Sequence, residues 1–195
     1  MDVAVIKYNA GNIRSVLFAL ERLQVNTIVT DEEDKIRSAD KVIFPGVGEA
    51  SSAMAYLKDK KLDKVILSLI QPVLGICLGM QLMCSFSEEN NTPCLGIFKE
   101  TVKHFPQNSY KVPQIGWNNI YDLSNTLFSG IAENSYVYFI HGFYVEVSKY
   151  TIAKANYMLE YSAALHKNNF YAVQFHPEKS GEIGQKILEN FLFQV

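Results

Sequence analysis

Val73-Leu74-Gly75-Ile76-Cys77-Leu78-Gly79-Met80-Gln81 is the stretch on which the reading of this chain turns. Four residues suited to a buried strand run into Cys77, and glycines stand two places before and two places after it. That spacing is the mark of a sharp strand-to-helix elbow, where strand and helix approach too closely for side chains and the central residue stands exposed as a nucleophile. At a helix N-terminus a thiolate meets free N–H groups and the positive end of the helix dipole, both of which favour its ionised form. A buried core cysteine followed by an ordinary turn is the competing reading of this stretch taken alone.

Toward the N-terminus, strand and helix patterns alternate. Residues 2–8 form an apolar run of strand length, and Asn9-Ala10-Gly11-Asn12 is a turn able to cap a helix. Ile13, Val16, Leu17, Leu20 and Leu23 then recur at helical spacing. A strand over 26–29, a charged helix over 31–38, a strand over 41–44 and helices over 49–59 and 61–70 complete the half before the elbow. Such alternation indicates a mostly parallel sheet covered on both faces, which binds ligands beyond the carboxyl ends of its strands. The glycine loop Pro45-Gly46-Val47-Gly48 follows one such end and Cys77 another, so both belong on one edge. The loop is too short for a phosphate-binding Walker loop; its glycines allow positive φ and let N–H groups face a ligand.

Beyond the elbow the pattern breaks between residues 84 and 135, with polar loops at 87–93 and 106–113. Val112-Pro113-Gln114-Ile115-Gly116-Trp117-Asn118 holds the single tryptophan in a context that rarely forms a core strand. Trp117 is either a core residue or, if exposed, part of a partner surface. Residues 135–147 read as two strands or one bent at His141-Gly142. Short strands at 152–156, 162–166 and 170–175 suggest an antiparallel extension, and 181–195 reads as a closing amphipathic helix. His104 and His166 read as surface histidines without a nearby partner. His176, extended because proline follows it, projects to the same side as Glu178 if the extended path continues through Pro177. A carboxylate so placed fixes the imidazole tautomer and stabilises its charged form.

The fold expected is therefore α/β: a three-layer open, mostly parallel sheet with helices on both faces and an antiparallel extension, in a single domain over 1–195. At 48% hydrophobic residues the chain can bury one sizeable core. With 18 Lys and Arg against 20 Asp and Glu and no basic block, it suggests no nucleic-acid partner. Cys77, Cys84 and Cys94 are odd in number and lack metal-site spacing, so neither a disulfide framework nor a metal centre is expected. The absence of a signal-like start and of a long apolar run points to a cytoplasmic protein without a membrane partner.

An elbow cysteine, a His/Glu pair and a glycine loop together supply a nucleophile, an oriented acid and base, and an oxyanion hole, which points to acyl transfer through a thioester. GICLGMQ at 75–81, PGVG at 45–48 and FHPEKSG at 175–181 resemble the class I (triad) glutamine amidotransferases. YNAGN at 8–12, VPQIGWN at 112–118 and YFIHGFY at 138–144 narrow the resemblance to the glutaminase subunits of imidazole glycerol phosphate synthases.

The resemblance implies that Cys77 attacks the side-chain amide of glutamine, with His176 as acid and base and Glu178 as its orienter. Val47 and Leu78 would supply oxyanion N–H groups. Gly46, Gly48, Gln81, Glu89, Gly142 and Phe143 would contact the substrate, without any cofactor. Asn12, Trp117, Tyr138 and Lys179 would face a (β/α)8-barrel cyclase in a heterodimer. Lys7, Gln114 and Gly142-Phe143 depart from the residues usual in that family. A paralogue feeding ammonia to another acceptor, such as a surface-sugar pathway, a stand-alone cysteine hydrolase and a non-catalytic scaffold are the other readings.

Overall fold

The structure is a computed structural model and describes residues 1–8, 13–106 and 110–195. The first half alternates as expected: β1 (Asp2–Ile6), α1 (Ile13–Arg22), β2 (Asn26–Thr30), α2 (Glu33–Ser38), β3 (Lys41–Phe44), α3 (Ala50–Asp59), α4 (Leu62–Leu67), β4 (Val73–Ile76) and α5 (Leu78–Met83). There follow β5 (Phe86–Ser87), β6 (Thr92–Pro93), β7 (Thr101–His104), β8 (Gln114–Ile120), β9 (Ser135–His141) and β10 (Phe143–Val145). The chain ends with β11 (Thr151–Tyr157), β12 (Leu159–Lys167), β13 (Phe170–Val173) and α6 (Gly181–Phe193). The 9–12 turn lies outside the described residues.

The main sheet runs β11-β12-β13-β4-β3-β1-β2. The contacts linking β13, β4, β3, β1 and β2 are parallel, while β12 and β11 are added antiparallel. Alternation of side chains along each strand feeds two cores. Ile43, Leu74 and Val173 pack with Val16 and Leu20 of α1 and Ile187, Leu188 and Phe191 of α6. Val42, Phe44, Val73 and Ala172 pack with Ile36 of α2, Leu57 of α3, Val65 and Ile66 of α4 and Leu82 of α5. This is the three-layer architecture the alternation indicated. No helix among the described residues is long and apolar enough to cross a membrane.

One expectation is corrected. Residues 112–118 do contribute a full strand: β8 pairs antiparallel with all seven residues of β9, from Gln114 opposite His141 to Ile120 opposite Ser135. Pro113 lies just before the strand, where its missing N–H costs the ladder nothing, and Gly116 adopts φ 140 within it. Residues 135–147 are two strands, the first of the two alternatives expected, and they lie in different sheets, β10 joining the sheet of β7, β5 and β6.

Candidate active site

β4 lies between β3 and β13 in the sheet, so three carboxyl ends converge on one edge. Each carries a candidate group: Pro45-Gly46-Val47-Gly48 after β3, Cys77 after β4, and Gln174 to Glu178 after β13. Cys77 holds the strained backbone of an elbow, with φ 53 and ψ −106. The flanking glycines have different neighbours. A Cβ on Gly75 would meet the Met83 sulfur at 2.9 Å and the backbone of α5 at 3.0 Å, the strand-helix approach that the spacing indicated. A Cβ on Gly79 would stand 1.9 Å from the carbonyl oxygen of Phe44, so this glycine admits the adjacent strand β3 rather than the one preceding the elbow.

His176 and Glu178 are paired, but by a different path from the extended one expected. His176 is extended (φ −102, ψ 94), whereas Pro177–Lys179 is a single 3-10 turn. The turn places Glu178 Oε1 2.8 Å from His176 Nδ1, with both side chains 2% exposed. It is pressed onto α6, where a Cβ on Gly184 would stand 1.9 Å from the Pro177 carbonyl oxygen. Burial alone would push the His176 imidazole down; the neighbouring Cys77 and Glu178 outweigh it and push it up to about 10. Nε2 of His176 is buried and has no hydrogen-bond partner among the described residues. A neutral imidazole whose charged form is so favoured can take and hold the proton of the neighbouring thiol.

A cleft of about 430 Å³ opens above Cys77, lined among others by Val47, Gly48, Leu78, Gln81, Glu89, Gly142 and Phe143. Most of the residues expected to contact a substrate are thus brought together. Gly46 is the exception. It sits behind the cleft against Tyr8, whose hydroxyl donates to the Pro45 carbonyl at 2.6 Å and would be 2.0 Å from a Cβ at residue 46. Only Gly48 of this loop uses positive φ, at 129. The oxyanion expectation needs correction for this state: Leu78 N–H donates to the Gly46 carbonyl at 3.2 Å and is not free. Glu89 Oε2 accepts from Ala50 N–H at 2.7 Å, at the start of α3. Gln81 lines the cleft but is buried and its amide is already engaged, with Nε2 3.1 Å from Gln174 Oε1 and 3.4 Å from the Phe143 carbonyl.

His104 is exposed, as expected, but it lines the cleft and its reading as unpartnered is corrected. Nδ1 is 2.7 Å from the Phe105 carbonyl, and its ring meets Phe143 edge-on at 4.9 Å. His166 has partners too, stacking on Tyr171 at 4.3 Å with Nε2 2.7 Å from the Asn168 carbonyl. His141, Ile140, Val112 and Pro113 complete the wall. His141 donates from Nδ1 to the Phe143 carbonyl at 2.7 Å, and burial holds its imidazole down at about 4, hence neutral. Gln114 and Tyr161 lie 3.1 and 3.3 Å from its other nitrogen, so the departure at Gln114 is absorbed into a buried polar cluster.

Sequence reasoning missed Gln174. It is fully buried, and its Nε2 lies 3.7 Å from Cys77 Sγ. A signal existed: it precedes His176 by two, and strand periodicity turns both to one side. Cys84 and Cys94 are free thiols, as is Cys77, and burial pushes both of the former up, Cys94 to about 12.

The outer face of the β8–β9 pair is apolar. Ile115, Trp117 and Tyr136 are each more than half exposed, and Trp117 meets Tyr138 at 5.8 Å between ring centroids. This face connects to the site through backbone: His176 N–H donates to the Tyr138 carbonyl at 2.8 Å, and Ser180 Oγ bridges Tyr138 N–H and the His176 carbonyl at 2.9 and 2.7 Å. Lys179 lies on the same turn, while Asn12 lies outside the described residues.

The family model described as glutamine amidotransferase class-I matches residues 4–195. The chain is 58% identical over 194 residues, 98% of its length and 99% of the relative's, to imidazole glycerol phosphate synthase subunit HisH of Bacteroides fragilis strain YCH46. It is 45% identical to the Haemophilus influenzae Rd protein of the same name, covering 100% of this chain and 98% of that one. Among solved structures, a glutamine amidotransferase from Thermotoga maritima shares the fold with a TM-score of 0.64 at 17% identity, covering 100% of this chain and 83% of that one.

Proposed function

The chain belongs to the class-I glutamine amidotransferase family, and from that premise we propose that it is the glutaminase subunit of a two-chain imidazole glycerol phosphate synthase. In this reading it hydrolyses glutamine to glutamate and ammonia and passes the ammonia to a cyclase of (β/α)8-barrel fold. The cyclase uses the ammonia to form imidazole glycerol phosphate and an aminoimidazole carboxamide ribotide in histidine biosynthesis. The observation that carries the chemistry is the buried 2.8 Å His176–Glu178 pair beside an elbow cysteine at the floor of the cleft. The shared name of relatives at 45–58% identity over nearly the whole chain supports the histidine pathway over another acceptor.

Cys77 Sγ loses its proton to His176 Nε2 and attacks the amide carbon of the glutamine side chain. The developing oxyanion requires N–H donors. The proton on Nε2 then passes to the amide nitrogen, which leaves as ammonia and a thioester remains. His176 next takes a proton from water, the hydroxide attacks the thioester, and Cys77 and glutamate are released. Glu178, bonded to Nδ1, fixes the tautomer and stabilises the imidazolium in both halves.

The Leu78 N–H bond to Gly46 closes the oxyanion hole in the free chain. The Gly46–Val47 peptide therefore has to turn over, freeing the Leu78 N–H and presenting that of Val47, when the partner takes up its acceptor. Amide exchange at Leu78 is expected to be slow in the free chain and at least tenfold faster in the acceptor-loaded complex. Equal exchange in both states would count against the turnover.

The exposed Ile115, Trp117 and Tyr136 face is the proposed docking surface, because large aromatic side chains carry most of the energy of such interfaces. The reading is tested by co-purification with a candidate cyclase and a glutamine-dependent assay with the ribotide substrate. Trp117→Ala is expected to weaken the complex at least tenfold; a complex of undiminished affinity would remove this face from the interface.

A further inference from the structure

We infer that Gln174 is a positioning residue for the nucleophile, its side-chain amide nitrogen donating to Cys77 Sγ and favouring the thiolate over the thiol. This rests on the role proposed above for Cys77. Gln174 follows the last residue of β13, whose four residues are apolar and buried, and its own carboxamide is fully buried at the level of the elbow. A carboxamide placed there has to find partners or lose the hydrogen bonds it made to water.

The orientation of the carboxamide follows from a fixed point. The Phe143 carbonyl can only accept, so the end of Gln81 that faces it at 3.4 Å is the amide nitrogen. That same nitrogen reaches Gln174 at 3.1 Å, so Gln174 turns its oxygen toward Gln81. Its nitrogen is left facing Cys77 Sγ at 3.7 Å, a normal length for an N–H···S contact. A reversed Gln174 would set two acceptors against each other on the thiolate and two donors against each other on Gln81.

The contact discriminates between protonation states. In the thiol, Sγ lies 3.5 Å from the Ile140 carbonyl and can donate its hydrogen there, while a neutral sulfur is a poor acceptor from Gln174. In the thiolate, the Ile140 carbonyl has nothing to accept, and the Gln174 N–H becomes a charge-assisted donor. The proton that leaves Sγ goes to His176 Nε2, which has no other partner among the described residues. Gln174 thus supplies a neutral donor to the sulfur in addition to the charged His176, and through Gln81 it joins the nucleophile to the Phe143 wall of the cleft.

The test is the pH dependence of Cys77 alkylation by iodoacetamide in the full chain, with peptide mapping to separate Cys77 from Cys84 and Cys94. Gln174→Met keeps the length of the side chain and removes the donor. It is expected to raise the pH of half-maximal alkylation by about one unit, and so to slow alkylation by about tenfold at pH values below the wild-type midpoint, the loss of one charge-assisted bond. A folded variant with an unchanged midpoint overturns the inference and leaves the role of Cys77 standing. A wild-type Cys77 that reacts no faster at neutral pH than the same thiol in the denatured chain overturns the role of Cys77 itself. The 15N-labelled wild-type protein reports the contact without substitution. The side-chain N–H resonances of Gln174 are expected to shift with the midpoint of Cys77 alkylation, and resonances that stay in place through it overturn the inference.

Discussion

Cys77→Ala is expected to abolish glutamine-dependent synthesis by the assembled complex, by about 10⁴-fold or more, while ammonia-dependent synthesis stays within about twofold of wild type. The size follows from what is removed. Without Sγ there is no thioester, and the imidazolium and the N–H donors have no intermediate to stabilise. Free ammonia enters the reaction after the step proposed for Cys77, so the partner's chemistry is expected to be untouched. Cys77 is also an innocuous place to cut: it is 6% exposed, and alanine removes only the sulfur from the elbow. The measurement compares the two nitrogen sources at saturating acceptor. Loss of both activities would contradict the reading, and retention of both would remove Cys77 from the chemistry.

Gly79→Ala is expected to destabilise the fold by about 3 kcal/mol, the upper end of overpacking penalties. The new methyl carbon would stand 1.9 Å from the Phe44 carbonyl oxygen, a backbone atom of a strand held on both sides in the sheet. Neither element can yield without opening the elbow or breaking the β3–β4 pairing. In a chain of this size that penalty lowers the melting temperature by roughly 6–12 °C. Gly142→Ala is the control, since a Cβ there meets only ordinary contacts at 3.7 and 3.8 Å, and a shift within about 2 °C is expected. A melting temperature for Gly79→Ala equal to that of the control would show that the elbow has room to spare.

Much of the site was legible because its chemistry is written in short spacings. Gly75 and Gly79 around Cys77 announce an elbow whatever the surroundings, and the alternation of strand and helix before them places Cys77 and the 45–48 loop on one edge. The His176–Glu178 pairing was anticipated, though the path was not. A spacing of two brings side chains together on an extended strand, but here a 3-10 turn packed on Gly184 does it. Residues 84–135 were unreadable for another reason. β5 and β6 have two residues each, too short to show a period, and their sheet is completed by later strands, β7 beside β5 and β10 beside β7.

Local periodicity and residue type were enough to specify the α/β alternation and to single out a candidate nucleophile with candidate histidine and carboxylate partners, because few other chemistries require those residues at those spacings. Which groups surround the sulfur, and which are free to act, became visible only once the chain was folded. The bond of the Gly46 carbonyl to the Leu78 N–H, that of Gln81 to Gln174, and the pairing of Trp117 opposite Tyr138 are all contacts between segments tens of residues apart. Hydrogen bonds and burial at such separations are fixed by the packing of whole layers, and no local pattern in the chain encodes them.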